Sequence, residues 1–439
     1  MDRPTSEYFK VSAGTKARMR EGIERNRKGY FTVEVVDSEG KRVDAEVRFK
    51  QKNHEFRFGA NLFMLDEIPD SEEKNELYKQ KFASLFNMAT LPFYWDATEP
   101  EENKTRYHKT AEKMYRRPPV DLCLEFCEKH GIEPREHALA YEHFFPDWLK
   151  SKSDGEVKIA LEKRMREISE RYSSRIPTIE VTNEMFWGYG ESDYKTDFYN
   201  NPNYIEYCFR LAEKYFPANE LCINEWTGLW NDNGRAQDNY YLYIENALLK
   251  GARIDAIGLQ YHLFYRRENY YDATRRLLNA DHLYRILDNY SRLNRPIEIT
   301  EITVPAFSAL PEDEQHQAEI IENLYTLWFS HDKVKQIIYW NLVDGYAYGA
   351  PIGDMQNGEN YFHGGLLRFD LSEKPAYKVI KKLIKETWRT DETVKTKEGI
   401  AEVKAFYGDY EVEIKTKDKT IVKTLPLLKQ ARKNFKIVL

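Results

Sequence analysis

Two glutamates, each placed after a β-branched run, are the residues in this chain best suited to act together chemically. Glu184 ends the stretch 178–184, and Glu301 follows the apolar stretch 296–300. Because Val, Ile and Thr suit a buried strand, each carboxylate is expected where a strand stops and a loop opens. Retaining glycoside hydrolysis requires such a pair, one carboxylic acid that gives up a proton and one carboxylate that attacks.

The chain around these two strands alternates between predicted strands and helices. Eight segments have the composition of strands: residues 56–60, 87–91, 136–141, 178–183, 220–224, 256–260, 297–300 and 336–341. Eight strand–helix units predict an α/β fold, a (β/α)8 TIM barrel, over residues 56–390. The chemistry of such a barrel lies at the C-terminal ends of its strands, so both glutamates are expected at one mouth.

Both ends of the chain carry a different pattern. Residues 1–28 form a polar, basic leader in which a helix is predicted from about residue 13 to residue 26. In residues 29–55, apolar residues alternate with polar ones on both sides of a Gly-containing turn, and this pattern predicts a β-hairpin. The same alternation occurs in residues 391–439, which predicts a second β segment. Since a lone hairpin is marginal in water, the two terminal segments are expected to pair into one small accessory β element.

Composition narrows the classes of function. Hydrophobic residues make up 41% of the 439 residues, enough for a large core, and the net charge of −6 argues against nucleic acid as a partner. The 31 Tyr and 8 Trp residues offer aromatic faces of the kind that stack on sugars. The four cysteines are too few and too scattered for a disulfide framework, so we expect buried free thiols.

The sequence also bears on location. No stretch is long and apolar enough to span a membrane, and residues 1–28 lack the apolar core of a signal peptide. The chain as written is therefore expected to be cytoplasmic, or secreted if a leader was removed from the recorded sequence. Its oligomeric state is left open.

Polar and indole side chains stand at the ends of the other predicted strands. They are Trp95, His137, Asn183, Trp226, Gln260, His262 and Trp340. A histidine in such a place is as often a structural hydrogen-bonding group as a catalyst. Converging on one mouth, however, these side chains indicate an oligosaccharide cleft better than a metal cage or a phosphate cradle.

These residues resemble those of the xylanases of glycoside hydrolase family 10. Residues 182–184, Thr-Asn-Glu, resemble that family's acid/base strand, and residues 299–301, Ile-Thr-Glu, resemble its nucleophile strand. Residues 254–263, which contain Gln260 and His262, resemble its sixth-strand signature. Further matches occur in the right order at 95–100, 137–148, 339–340 and 374–377, so the resemblance spans residues 56–386.

The resemblance implies a retaining β-glycoside hydrolase that needs no cofactor or metal and cleaves β-1,4-xylosidic bonds in xylan or xylo-oligosaccharides. Glu184 would be the acid/base and Glu301 the nucleophile, with donors such as His262 favouring the charge on Glu301. The residues implied to bind substrate or to support these two groups are His137, Asn183, Gln260, His262, Trp340, Trp95, Tyr141, Trp226 and Tyr348.

Departures from the family pattern bear on the substrate. The family has a Glu-Asn pair and a Lys just before the Trp of the second strand, which grip the next sugar on the non-reducing side of the cut. Residues 90–95 here read Thr-Leu-Pro-Phe-Tyr-Trp, without charge. Tyr141–Glu142 replaces a Trp-His pair, and Tyr348 replaces a Trp of the eighth-strand loop. These changes favour short or decorated β-linked oligosaccharides over long unbranched xylan.

Three alternatives stay open at this point. The chain could hydrolyse another β-linked oligosaccharide or an aryl β-glycoside, and it could act within a chain or from an end. It could instead be a barrel that binds sugars without cleaving them. A metal-dependent barrel is disfavoured, because residues 58–61 contain no His-x-His motif.

Overall fold

A closed barrel of eight parallel strands forms the centre of the computed structural model, which describes residues 8–186, 196–231 and 238–439. The described strands are β1 (Lys28–Val36), β2 (Glu46–His54), β3 (Arg57–Asn61), β4 (Met88–Pro92), β5 (Glu133–His137), β6 (Thr178–Asn183), β7 (Glu220–Glu225), β8 (Ala256–His262), β9 (Ile297–Thr303), β10 (Val334–Tyr339), β11 (Asp391–Lys395), β12 (Ile400–Phe406), β13 (Gly408–Lys415), β14 (Thr420–Leu427) and β15 (Asn434–Val438). The barrel runs from β3 to β9 in chain order, and β10 pairs in parallel with both β3 and β9 to close it. The predicted (β/α)8 fold is thereby confirmed.

Helices surround the barrel. The described α-helices span Ala13–Asn26, Glu72–Leu85, Trp95–Thr98, Val120–His130, Asp154–Tyr172, Asp197–Asn200, Tyr204–Tyr215, Asn239–Leu249, Tyr270–Thr274, Ala280–Tyr290, Pro311–Ser330 and Pro375–Lys382. Gly131, at φ +63°, ends the helix at His130, and a Ser153–Glu156 capping box opens the next long helix. Within the described ranges, no helix combines the length and the apolarity that a bilayer crossing would demand.

Strands β6 and β9, which lead to the two glutamates, are buried along their whole length. Their nearly continuous β-branched sequences fit strands covered on both faces, as a parallel barrel requires. The third barrel strand differs from the prediction, because β5 ends at His137 instead of running from 136 to 141. Pro134 lacks a backbone donor and therefore hid the start of this strand in the sequence.

The helix Ala13–Asn26 belongs to the shell of the barrel. A Cβ atom at Gly22 would lie 2.5 Å from the carbonyl oxygen of Ser330, so this helix packs closely against the end of the helix Pro311–Ser330. The first seven residues of the predicted leader lie outside the described residues. Cys123, Cys127, Cys208 and Cys222 are buried and free, as predicted.

The terminal segments form two sheets, one with the order β12-β1-β15 and one with the order β11-β2-β13-β14. The predicted pairing of the two ends of the chain is confirmed. The hairpin predicted in residues 29–55 forms only at its turn, where Val43 N donates to Val35 O over 3.0 Å and Val36 pairs antiparallel with Arg42. Strands β1 and β2 lie in different sheets, and the rings of Phe31 and Phe49 pack with centroids 5.0 Å apart. Both strands carry one apolar face, and these faces pack against each other as in a sandwich.

Candidate active site

A cleft of about 410 Å³ opens at the C-terminal ends of the barrel strands. Ten of the eleven predicted site residues line it: His137, Tyr141, Asn183, Glu184, Trp226, Gln260, His262, Glu301, Trp340 and Tyr348. They lie on or follow six different strands, β5 to β10, so the barrel brings together side chains that are far apart in sequence.

Trp95 is the predicted residue that the structure places elsewhere. Its indole is buried beneath the mouth and donates to Glu99 Oε2 over 3.1 Å, and its ring packs against Phe145 and Trp148. A short helix begins at Trp95, which turns this side chain away from the cleft. Tyr94, one residue earlier, lines the cleft instead.

Glu184 and Glu301 share one amide donor. Gln260 Nε2 lies 3.0 Å from Glu184 Oε1 and 3.0 Å from Glu301 Oε1. Those two oxygens are therefore no further apart than twice that distance. This limit agrees with the spacing of about 5–5.5 Å in retaining glycosidases and lies below the 6.5–9.5 Å range typical of inverting enzymes.

Glu301 is 4% exposed and accepts three hydrogen bonds. Asn224 Nδ2 and Gln260 Nε2 each lie 3.0 Å from its Oε1, and His262 Nε2 lies 3.1 Å from its Oε2. Burial raises the pKa of Glu301 to about 8, while the positive charge of His137 works in the opposite direction. The donors favour the charged carboxylate, but burial outweighs them, so this group binds a proton more tightly than the sequence suggested.

Glu184 occupies a less enclosed position. Tyr141 donates its hydroxyl proton to Glu184 Oε2 over 2.6 Å, and Gln260 holds the other oxygen. The backbone of Glu184 has φ +51°, which is uncommon for a residue with a side chain and is found most often at functional sites. One oxygen of the neighbouring Glu225 accepts from the backbone amide of Phe186, which fixes the chain just beyond Glu184.

His262 acts as a neutral donor to Glu301. Burial lowers the pKa of His262 to about 4, so its imidazole is uncharged at neutral pH. The Thr303 hydroxyl lies 2.9 Å from its Nδ1 and can donate there, which leaves the proton on Nε2 facing Glu301. The ring also stacks on Phe264 with centroids 4.7 Å apart, so its orientation is fixed on two sides.

His137 is held from behind by a buried carboxylate. Its Nδ1 lies 2.9 Å from Glu180 Oε1, and its Nε2 lies 3.0 Å from the hydroxyl of Tyr94. Burial alone would lower the pKa of His137, but the charge of Glu180 and the hydrogen bond to it raise this pKa above its ordinary value. Glu180 itself contacts Arg135 at 2.5 Å. When His137 is protonated, it adds positive charge next to Glu301 and lowers the pKa of that carboxyl.

His137, Glu180 and Glu301 also bring potential metal-ligand atoms within 4.8 Å of one another. Sequence reasoning missed this cluster because its members lie on three different strands. Both ring nitrogens of His137 already contact a carboxylate and a hydroxyl, and Arg135 contacts Glu180. The cluster is thus satisfied as a set of ion pairs and hydrogen bonds.

A network of amides sets the orientation of Asn183. Its Oδ1 accepts from Asn224 Nδ2 at 3.0 Å and from Gln260 Nε2 at 3.1 Å. The hydroxyl of Thr300 donates to Asn224 Oδ1 over 2.7 Å, which fixes which end of that amide faces Asn183. The amide nitrogen of Asn183 has no hydrogen bond among the described residues, so it can donate to a sugar hydroxyl in the cleft.

Aromatic side chains form the floor and walls of the cleft. Trp340 is buried at the floor, and its ring packs edge-on against His137 at 5.3 Å and against His262 at 6.0 Å. Trp226 and Tyr348, which are 39% and 41% exposed, stand at the rim. Large exposed rings beside a polar centre suit contact with the C–H faces of sugars.

The cleft includes residues that the sequence did not single out. They are Tyr94, Arg116, Arg117, His143, Phe144, Thr227, Phe264, Tyr265 and Glu359. The two arginines follow β4 and precede the helix that begins at Val120. Any loop from a strand to the next helix reaches the C-terminal mouth of such a barrel, so the position of the Arg-Arg pair in the chain was a usable signal.

Comparison with known proteins agrees with this geometry. The profile of glycosyl hydrolase family 10 matches residues 51–383. Endo-1,4-β-xylanase B of Thermotoga neapolitana is 26% identical over 341 residues, covering 75% of this chain and 88% of that protein. Endo-1,4-β-xylanase B of Cellvibrio japonicus is 26% identical over 266 residues, but the chain spans only 40% of that protein.

The fold has solved counterparts. Xylanase 10B from Thermotoga petrophila RKU-1, solved in complex with xylobiose, has a TM-score of 0.59 at 22% sequence identity, covering 76% of this chain and 95% of that one. The family profile covers all eight barrel strands and both glutamate positions. The chain therefore belongs to glycosyl hydrolase family 10 and is a xylanase-like glycoside hydrolase.

Proposed function

We propose that this chain cleaves β-1,4-xylosidic bonds in xylan or xylo-oligosaccharides by double displacement, with Glu301 as the nucleophile and Glu184 as the acid/base. The observation that carries the proposal is the single amide of Gln260, which lies 3.0 Å from an oxygen of each carboxyl. That spacing is shorter than the separation of about 6.5–9.5 Å with which inverting enzymes accommodate an attacking water molecule, and it supports direct attack by the Glu301 carboxylate.

In the first step, Glu184 gives its proton to the glycosidic oxygen while Glu301 attacks the anomeric carbon. The glycosidic bond breaks, the leaving sugar departs as an alcohol, and a glycosyl ester forms on Glu301. In the second step, Glu184 takes a proton from water as the water attacks the same carbon and releases Glu301. Asn183 donates its amide to a hydroxyl of the reacting sugar, and Trp340 lies beneath that sugar.

Two substitutions test these roles. Glu301→Ala should lose several orders of magnitude in rate, and azide should partly restore turnover with inverted product, because the small anion takes the place of the nucleophile. Glu184→Ala should lose far more activity on oligosaccharides than on aryl glycosides with good leaving groups, because these need no proton. Glu213→Ala, an exposed glutamate on the helix Tyr204–Tyr215, serves as the control. Near-normal turnover by Glu301→Ala would overturn the assignment.

Two further measurements separate the competing functions. Hydrolysis of an aryl β-xyloside by the unaltered chain would exclude a barrel that only binds sugars. Because His137, Glu180 and Glu301 could together hold a cation, activity should also be measured after dialysis against a chelator. We expect no change, and a loss that added divalent metal restores would favour metal-dependent chemistry.

A further inference from the structure

We propose that Arg116 and Arg117 form a subsite for a carboxylate on the substrate, carried by a uronic acid on the non-reducing side of the cut. The inference rests on the proposed function, since it places an acidic sugar in the cleft where the xylosidic bond is broken. It identifies the substrate as an acidic, uronate-bearing β-linked oligosaccharide.

Both arginines belong to the wall of the cleft. They lie in the loop between the helices Trp95–Thr98 and Val120–His130, and both line the same cavity as Glu184 and Glu301. Their side chains are largely buried, since Arg116 is 4% exposed and Arg117 is 8% exposed. Charged side chains are seldom buried to this degree unless a partner of opposite charge compensates them.

Arg117 has aromatic neighbours but no ion-pair partner in the described part of the chain. Its guanidinium lies 3.9 Å from the ring centroid of Tyr94, 5.0 Å from that of Phe144 and 5.6 Å from that of Phe63. Within the described ranges its guanidinium donates one hydrogen bond, from Nη1 to the carbonyl oxygen of Arg116 over 3.0 Å. Among the described residues it forms no ion pair. The rings hold the guanidinium in place and leave the rest of its donor fork for a ligand.

Arg116 is also without an ion pair among the described residues. Its Nη1 donates to Asn341 Oδ1 over 3.0 Å and to the carbonyl oxygen of Tyr346. Its Nε is buried and has no hydrogen-bond partner in the described part of the chain. Glu359 is the carboxylate on this wall, but Asn341 stands between them and donates its Nδ2 to Glu359 Oε2 over 2.7 Å. A buried donor is therefore left unsatisfied beside the cleft.

Two neighbouring cations with few counter-charges favour an anionic ligand. Burial lowers the pKa of Arg117 and the adjacent charge of Arg116 lowers it further, whereas Tyr94 and the carboxyl of Asp96 act in the opposite direction without restoring the ordinary value. A carboxylate matches the planar donor fork of arginine and forms hydrogen bonds roughly twice as strong as neutral ones. A neutral sugar hydroxyl would satisfy the donors but not the charge. The pair thus discriminates in favour of acidic sugars.

The position of the pair sets the side of the cut. The arginines lie against Phe63 and Tyr94, which follow β3 and β4, and in the barrel order these strands stand across the mouth from β7 and β8. Glu184 follows β6, beside β7, and must face the leaving group to protonate it. The leaving group therefore extends toward Trp226, and the arginines face the sugars on the opposite, non-reducing side.

The test compares two matched substrates. One is a xylo-oligosaccharide with a single glucuronic acid branch on its non-reducing half, and the other is the same compound with the carboxyl reduced to a hydroxymethyl group. We expect the unaltered chain to show a kcat/KM about tenfold or more higher for the acid, with a preference that shrinks as NaCl is added.

The variants test the arginines themselves. Arg117→Gln and Arg116→Gln should reduce the ratio of kcat/KM for the acid to that for the reduced compound to about one, and Arg117→Lys should give an intermediate ratio. Arg275→Gln, at an exposed arginine paired with Asp272, should keep the original ratio.

The outcomes separate this inference from the proposed function. If the unaltered chain cleaves neutral xylo-oligosaccharides but shows no preference for the acid, the carboxylate subsite is wrong and the xylanase proposal stands. If it cleaves no xylose-based substrate of either kind, the proposed function is wrong as well. A preference that persists in both glutamine variants, or that salt leaves unchanged, would also overturn the role of the arginines. The ratio and salt dependence of the unaltered chain decide the matter even if a variant fails to fold.

Discussion

The hydroxyl of Tyr141 donates to Glu184 Oε2 over 2.6 Å and so fixes this carboxyl from the side opposite Gln260. Burial, followed by the charge of Glu184, raises the pKa of Tyr141 far above its ordinary value, so the phenol keeps the proton that it donates. The two partners together determine which oxygen of Glu184 reaches the glycosidic bond.

Tyr141→Phe should slow hydrolysis of oligosaccharides by about 10- to 100-fold, because a hydrogen bond to a charged or ionisable group contributes about 1.5–3 kcal/mol. The loss should be smaller for aryl glycosides with good leaving groups, which depend less on proton transfer. Comparing kcat/KM for the two substrate types checks this. Equal losses on both would show that Tyr141 supports the cleft in general and does not act through Glu184.

The pH profile of kcat/KM should be bell-shaped, with its upper limb near pH 8. The two carboxyls of Glu184 and Glu301 must hold one proton between them, and burial raises the pKa of Glu301 to about 8. Above that pH the pair holds no proton for the leaving group, whereas at low pH the pair holds two protons and offers no nucleophile. Rates measured from pH 3 to 10 with a pH-stable substrate test this. A plateau that continues to pH 10 would contradict it.

Glu301→Gln should stabilise the fold increasingly as pH rises from about 4.5 to about 8. Because burial raises the pKa of Glu301 to about 8, the folded Glu184–Glu301 pair keeps its last proton up to about that pH, while an unfolded glutamate loses it near 4.5, so the unaltered chain loses stability across that window. A neutral glutamine avoids this loss, and its advantage should reach a few kcal/mol at the upper end. Unfolding curves at several pH values give the difference. A constant difference, as expected for the exposed control Glu213→Gln, would refute the raised pKa.

The accessory sheets should stabilise the chain without taking part in catalysis. Ile414 is fully buried between the sheets, whereas Val422 in the paired strand β14 is 54% exposed. Ile414→Ala should lower the free energy of unfolding by about 2–5 kcal/mol, and Val422→Ala should change it little. The kcat of the folded Ile414→Ala protein should equal that of the unaltered chain. A marked fall in kcat would show that the sheets shape the cleft.

Much of the site was predictable because its chemistry is encoded locally. The β-branched runs before Glu184 and Glu301 fixed two buried strands, and the order of the other strand ends placed most of the cleft. Trp95 was misplaced because a short helix starts there, and one residue of difference reverses the direction of a side chain at a strand end. The arginine pair was missed because its place in a strand-to-helix loop indicates the mouth of the barrel but not whether a side chain there lines the cleft or faces solvent.

The hairpin predicted at residues 29–55 extends no further than its turn for a related reason. Alternating apolar residues show that a strand has one buried face, but they do not show whether its neighbour in sequence pairs along its edge or packs on its face. Here the faces of β1 and β2 pack together, and the edges are completed by strands from the other end of the chain. Contacts over such a separation leave no local signal.

The same arrangement sets an order of events during synthesis. Thr32 in β1 pairs with Glu402, 370 residues later, and β1 also pairs with β15. At a translation rate of roughly 5–20 residues per second, β1 leaves the ribosome tens of seconds before either neighbour exists. All eight barrel strands emerge within that interval, so the barrel can close first. A chain that stops short of residue 400 would therefore carry a finished barrel and an open strand edge, from which pairing between chains can begin.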